Sequence, residues 1–114
     1  MKRVLFVCSQ NRLRSPTAEH IYAAHPDLEV LSAGTNRDAE TVLTAELIAW
    51  ADLIFVMERA HRNKIQAKFR RSLGRARVIC LDIPDDYEFM DPALIRLLKA
   101  RLARHLPPFQ LDAV

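Results

Sequence analysis

The sequence predicts a single-domain α/β fold: a three-layer sandwich with a four-stranded parallel sheet and helices on both faces. Three observations carry that prediction. The chain has 114 residues, half of them apolar, which is enough for one modest core and too little for two. Short β-branched and aromatic runs alternate with longer segments of helical spacing, the pattern of parallel strands joined by right-handed crossovers. No repeat, low-complexity tract or second composition interrupts that alternation.

The elements follow in order. Lys2 to Cys8 is a strand, and Ser15 to Ala24 is a helix whose Pro16 sits where a missing N–H costs nothing. Leu28 to Ser32 is a second strand closed by "AGT", Thr41 to Trp50 a helix, Leu53 to Met57 a third strand and Ala60 to Arg71 a further helix. The fourth strand spans Arg77 to Leu81. After the loop "DIPDDYEFMDP", Pro92 to His105 places Leu94, Ile95, Leu97, Leu98 and Leu102 at helical spacing. The domain is expected to span 1–106, with 107–114 as a flexible tail.

Composition narrows the function. The apolar run after "MKR" is only Val4 to Val7, far short of a signal peptide or the ~20 residues of a membrane span, so a soluble cytoplasmic protein without membrane partners is expected. Two cysteines in a reducing compartment point to buried, catalytic or redox-active thiols rather than a bridge. The four histidines and Cys80 show no zinc spacing, and Gly34 and Gly74, the two glycines, cannot write a dinucleotide or Walker loop; neither metal nor cofactor is expected. Arginine outnumbers lysine 13 to 4, which suits bidentate phosphate contacts. Eight basic residues between Arg59 and Arg77 form either a solvated helix face or a polyanion surface. No aromatic ladder interleaves them, so nucleic acid is a partner left open but not favoured.

The stretch "FVCSQNRLRSPTAEH" carries the chemistry. In a parallel sheet, ligands bind at the carboxyl ends of strands, where helix N-termini offer free N–H groups and favour anions. Cys8 ends the first strand there. Five residues, Ser9, Gln10, Asn11, Arg12 and Leu13, can curl around a tetrahedral oxyanion with N–H groups inward, and Arg14 closes the ring through a bidentate contact. Cys8 would lie beneath the phosphorus as the attacking thiolate, with the Ser15 hydroxyl on its sulfur. A buried structural cysteine is the plainer reading, and among 13 arginines the spacing from Cys8 to Arg14 is weak alone. The conjunction of strand end, polar loop and helix start makes it strong.

These residues resemble a known family. "VCSQNRLRSP" is similar to the signature loop of the low-molecular-weight protein tyrosine phosphatases, and "LSAGT", "ADLIFVMERAH" and "DIPDDY" resemble its second-strand ending, its third strand with the following helix, and its acid loop, in the same order. The resemblance implies strand order 2-1-3-4, a phosphocysteine intermediate on Cys8, and a loop held in place by Asn11. It also shows departures. Gln10 stands where relatives have glycine, and Leu13 where many carry a second cysteine, which exposes Cys8 to irreversible oxidation. The segment from Thr35 to Trp50 is short, so part of the family's wall beside the site is missing. Arg12, often apolar or small in relatives, is placed to meet a second phosphate or an acidic substrate, or simply solvent.

The leaving oxygen needs a proton, and Asp82, Asp85, Asp86 and Asp91 all follow the fourth strand. The family's pattern of proline, acid, then aromatic selects Asp85. Asp86 is the nearest alternative, and Asp91-Pro92 also reads as an ordinary helix start. Tyr87 is expected to stack on an aromatic substrate. Cys80, two strands from Cys8 in the implied order, reads as core. The chain is thus predicted to be a cysteine-dependent phosphate-monoester hydrolase acting on phosphotyrosine. Its catalytic residues would be Cys8, Arg14 and Asp85, with Ser9, Gln10, Asn11, Arg12, Leu13, Ser15, Asp86 and Tyr87 contacting substrate. A phosphorylated protein or small phosphomonoester would bind, with phosphate or sulfate occupying the loop. The alternatives are an arsenate reductase of the same fold, whose thioredoxin-coupled kind needs two downstream cysteines where this chain has only Cys80 while versions that borrow a small-molecule thiol need fewer, and a non-catalytic phosphate- or polyanion-binding module.

Overall fold

The computed structural model describes residues 1–107; most of the tail expected at 107–114 lies outside the described residues. The first strand, β1 (Lys2–Cys8), explains the sheet. Its run from Val4 to Cys8 is continuously apolar because a central parallel strand is buried on both faces. It pairs in parallel with β2 (Leu28–Gly34) on one side and β3 (Leu53–Val56) on the other, and β4 (Arg77–Cys80) completes the parallel order β2-β1-β3-β4.

Alternation along β1 divides the core. Val4, Phe6 and Cys8 face α1 (Arg14–Tyr22) and α5 (Pro92–Leu102), packing with Tyr22, Phe55, Leu94 and Leu98. Phe6 stacks on Phe55 at 5.8 Å between ring centres. Leu5 and Val7, with Ile54 of β3, face the other layer, α2 (Ala45–Trp50), α3 (Arg59–Lys68) and the short α4 (Arg70–Leu73), through Ile48, Ile65 and Leu73. Among the described residues no helix is long and apolar enough to cross a membrane.

The first and last helices end two and three residues earlier than expected, at Tyr22 and Leu102, and the two between them differ more. The helix expected from Thr41 begins only at Ala45, because Thr44 caps it through a 3.2 Å bond from the Leu47 N–H to its Oγ1. The preceding residues serve the sheet edge instead: Gly34 N–H donates to Thr41 O at 2.8 Å, and Leu43 N–H to Gly34 O at 2.9 Å. The helix expected from Ala60 to Arg71 breaks at Phe69, whose N–H closes α3 on Ile65 O while its ring packs on the core. β2 also runs past Ser32 to Gly34, in register with Cys8.

Candidate active site

Cys8 ends β1 at the carboxyl edge of the sheet, and the loop Ser9 to Leu13 returns the chain into α1. The loop's carbonyls are claimed from behind by the segment after β2. Thr35 N–H donates to Cys8 O, Asn36 N–H to Ser9 O and Glu40 N–H to Gln10 O, each at 3.0 Å. Among the described residues no N–H from Ser9 to Leu13 donates to a protein acceptor. With its carbonyls spent on one side, the loop keeps a row of free donors, and α1 adds more because Leu13 at its N-cap supplies no side-chain bond.

Gln10 fits without glycine. The left-handed position of the loop falls on Asn11, φ 56°, a residue type that tolerates it. Asn11 is buried and ties three elements together: its Nδ2 donates to Ser15 Oγ at 2.9 Å and Ser32 Oγ at 2.8 Å, while its Oδ1 accepts from Thr41 N–H at 3.2 Å. Ser32 in turn donates to Glu19. Because Asn11 occupies an acceptor position on Ser15 Oγ, the hydroxyl hydrogen is free to point at Cys8 Sγ, 2.9 Å away, in preference to Ala33 O at 3.5 Å.

Gly34 is needed where β2 meets this loop. A Cβ there would stand 2.5 Å from Ser9 O and 3.0 Å from Asn11 N. Gly34→Ala is therefore expected to push the loop off its carbonyl ties, lowering phosphate affinity by about tenfold or more with β1 to β4 retained, as read by titration beside far-UV circular dichroism. Unchanged affinity would show that the backing segment does not set the loop.

Arg14, 2% exposed, opens α1 beneath the site. Its NH1 donates to Glu58 Oε2 and to Ile83 O, both at 2.7 Å, which leaves the Nε–NH2 edge, the bidentate face of the guanidinium, towards the cleft. Asp85 Oδ1 lies 3.6 Å from that Nε. Cys8, Ser9, Gln10, Arg12, Leu13, Arg14 and Asp85 line a cleft of about 230 Å³. Asn11 and Ser15 stand behind this lining and shape it. Arg12 reaches outward at the rim, 3.4 Å from Glu40. A larger depression of about 670 Å³ lies at the opposite sheet end, around Lys2 and Leu28, and contains no cysteine.

The other acidic residues separate by position. Asp91 caps α5, its Oδ1 accepting from the Ala93 N–H at 2.9 Å. Asp82, φ 53°, accepts a 3.4 Å contact from the Cys80 thiol. Asp86 is exposed beside Asp85 outside the cleft lining, and Tyr87 packs, half-buried, against the core under α1 and α5. Cys80 packs on the α2 and α3 side of the sheet while Cys8 packs on the α1 and α5 side, with β3 between them. Both thiols are free, and burial pushes that of Cys80 up. Among the described residues no group of three or more His, Cys, Asp or Glu could hold a metal ion.

Glu58 and His61 belong to the site although sequence reasoning gave them no role there. The Glu58 N–H donates to His61 Nδ1 at 3.0 Å, so the ring proton sits on Nε2 and is donated to Ser9 Oγ at 2.9 Å. Their signal was "ERAH": a polar residue before a helix and a partner three positions on, at the carboxyl end of the strand beside β1.

Burial, reinforced by the Arg14 charge, lowers the His61 pKa from 6.5 to about 4 despite the opposing Glu58 carboxylate. The sign follows: below pH 6.5 the unfolded chain takes up a proton that the native state refuses until about pH 4, so stability is full above that window and lost as pH falls through it. The loss is on the order of 3 kcal/mol. Urea unfolding at pH 7.5 and 4.5 should show a larger drop for the native chain than for His61→Gln; equal drops would remove His61 from the account.

The sheet order and the strand–cysteine–loop–arginine arrangement at its carboxyl edge define the fold of the low-molecular-weight protein tyrosine phosphatases. No protein-family model matches the chain, and no curated protein sequence matches it significantly. Solved structures do. The chain is similar to the tyrosine phosphatase Wzb from Escherichia coli K30, solved in complex with phosphate (22% identity, 90% of this chain and 94% of that one, TM-score 0.70). It is similar to the low-molecular-weight protein tyrosine phosphatase SP-PTP from Streptococcus pyogenes (17% identity, 94% and 95%, TM-score 0.75). It is also similar to the YwlE arginine phosphatase from Geobacillus stearothermophilus (21% identity, 96% and 100%, TM-score 0.68).

Proposed function

We propose that this protein is a metal-independent, cysteine-dependent phosphatase that hydrolyses phosphate monoesters, phosphotyrosine foremost, through a phosphocysteine intermediate. The observation that carries the reading is the convergence of Cys8, the unclaimed loop N–H groups and the open edge of Arg14 on one small cleft. The phosphoryl oxygens take the loop donors and the guanidinium edge, which bind the developing charge of transfer better than the ground state. The Cys8 thiolate forms the S–P bond as the P–O bond breaks, and Asp85 gives its proton to the leaving oxygen. Water then attacks phosphorus, Asp85 takes its proton, and the S–P bond breaks to return the thiolate and inorganic phosphate. The hydroxyl hydrogen of Ser15 steadies the sulfur in both steps.

The preference for phosphotyrosine follows the resemblance of the signature loop; Arg12, paired with Glu40 at the rim, does not by itself separate phosphotyrosine from phosphoarginine. An arsenate-reductase relay fits poorly with Cys80 on the opposite face of the sheet. The test is hydrolysis of p-nitrophenyl phosphate in EDTA by the native chain, Asp85→Asn and Asp86→Asn. Loss of about 10² or more in kcat from Asp85→Asn alone is expected. An equal or greater loss from Asp86→Asn would move the acid by one residue, and absence of turnover in the native chain would overturn the proposal.

A further inference from the structure

The charge of this chain is segregated. From Arg59 to Leu81 there are eight lysines and arginines and no acidic residue, so the formal +3 of the whole chain conceals +8 on this segment against −5 elsewhere. Arg59, Lys64, Lys68, Arg70, Arg71, Arg75 and Arg77 are exposed, and among the described residues none of them joins an ion pair. Unpaired like charges at helical spacing repel one another, so the face is costly to keep unless something anionic covers it.

The face is continuous with the cleft. α3 starts at the site, where His61 bonds Ser9, and Lys64 Nζ lies 3.4 Å from Asn36 Oδ1, whose own N–H holds Ser9 O at 3.0 Å. From there the helix leads away for about 15 Å before α4 adds Arg70 and Arg71, a length an extended peptide covers in roughly five residues. We infer that the α3–α4 face docks an acidic segment of the substrate protein, adjacent in sequence to the phosphorylated residue held in the Cys8 loop. The inference rests on the phosphatase reading for its substrate and on the charged surface for its selectivity. Nucleic acid is the less apt occupant, since Phe69, the one phenylalanine, tyrosine or tryptophan among these charges, packs against the core and makes no ladder on which bases could stack.

The probes are two phosphotyrosine peptides that differ only in flanking glutamates or glutamines. With the native chain, the acidic peptide should show a KM about tenfold lower at ~50 mM salt, falling below about twofold at ~500 mM. Lys68→Glu/Arg71→Glu should abolish that preference while leaving p-nitrophenyl phosphate turnover unchanged. Fluorescence anisotropy with Cys8→Ser protein reads the same preference as Kd, so a failure of hydrolysis would sink the phosphatase reading and still test the surface. Equal KM and Kd for the two peptides, or a preference that survives the double reversal, would overturn the inference. So would tight binding of a uridine oligonucleotide that the double reversal abolishes, with the peptides undiscriminated.

Discussion

Cys8→Ser is expected to lose turnover of p-nitrophenyl phosphate by a factor on the order of 10⁶, the scale on which removing the nucleophile acts in a covalent hydrolase. It is expected to keep phosphate binding. The reason lies in the division of labour around the loop. The thiol supplies the attacking electrons, but the loop's shape comes from the carbonyl ties of Thr35, Asn36 and Glu40 and from Asn11, none of which uses the sulfur. A serine hydroxyl at position 8 retains a hydrogen-bond partner in Ser15, so the exchange leaves no orphaned polar group in a site where Cys8 is 3% exposed. Acid quenching of the native reaction should trap phosphate on Cys8 and nothing comparable in the variant. Residual turnover above about one per cent of native would show that another group attacks, and loss of phosphate affinity together with turnover would show that the sulfur organises the loop.

What the sequence disclosed and what it hid follow from how far each contact reaches along the chain. β1 was legible because a central strand buried on both faces reads as one apolar run, and the loop from Cys8 to Ser15 because its parts are local. The partners that aim the machinery were not. Glu58 reaches Arg14 across 44 positions and His61 reaches Ser9 across 52, both delivered by the pairing of β3 beside β1 rather than by any spacing in the sequence. Gly34 looked like a strand ending and proves to be the point where two backbones touch. The helix expected from Thr41 failed for a related reason, since helical propensity in 41–43 yields to pairing with Gly34 at the sheet edge. Asp85 stood out from its three acidic neighbours in sequence only by likeness to a family pattern. In the structure it differs by position, lining the cleft while Asp91 caps a helix and Asp82 faces Cys80.

Arg14→Lys tests whether the guanidinium acts by charge or by shape. Lysine keeps the charge but offers a point donor in place of a planar fork, and here the fork is divided between two tasks. NH1 is fully committed to Glu58 and Ile83 O, while the Nε–NH2 edge is left for two phosphoryl oxygens. One ammonium cannot do both. If it turns to the phosphate, Ile83 O loses its bond in a buried site, a cost of about 1 to 3 kcal/mol. If it stays with Glu58, the transition state loses a bidentate partner, and kcat/KM falls by about 10² to 10³. The expected result is therefore a split: a large fall in kcat/KM for p-nitrophenyl phosphate, together with a lower Tm that saturating phosphate restores only in part. Glu58→Gln separates the two tasks. It keeps an acceptor for NH1 while removing its charge, so it should cost far less in turnover than Arg14→Lys. Should the lysine protein keep native kcat/KM, charge alone would suffice and the fork geometry would have no part in catalysis. Should Glu58→Gln instead equal Arg14→Lys, the carboxylate that holds Arg14, rather than the edge Arg14 presents, would set the rate.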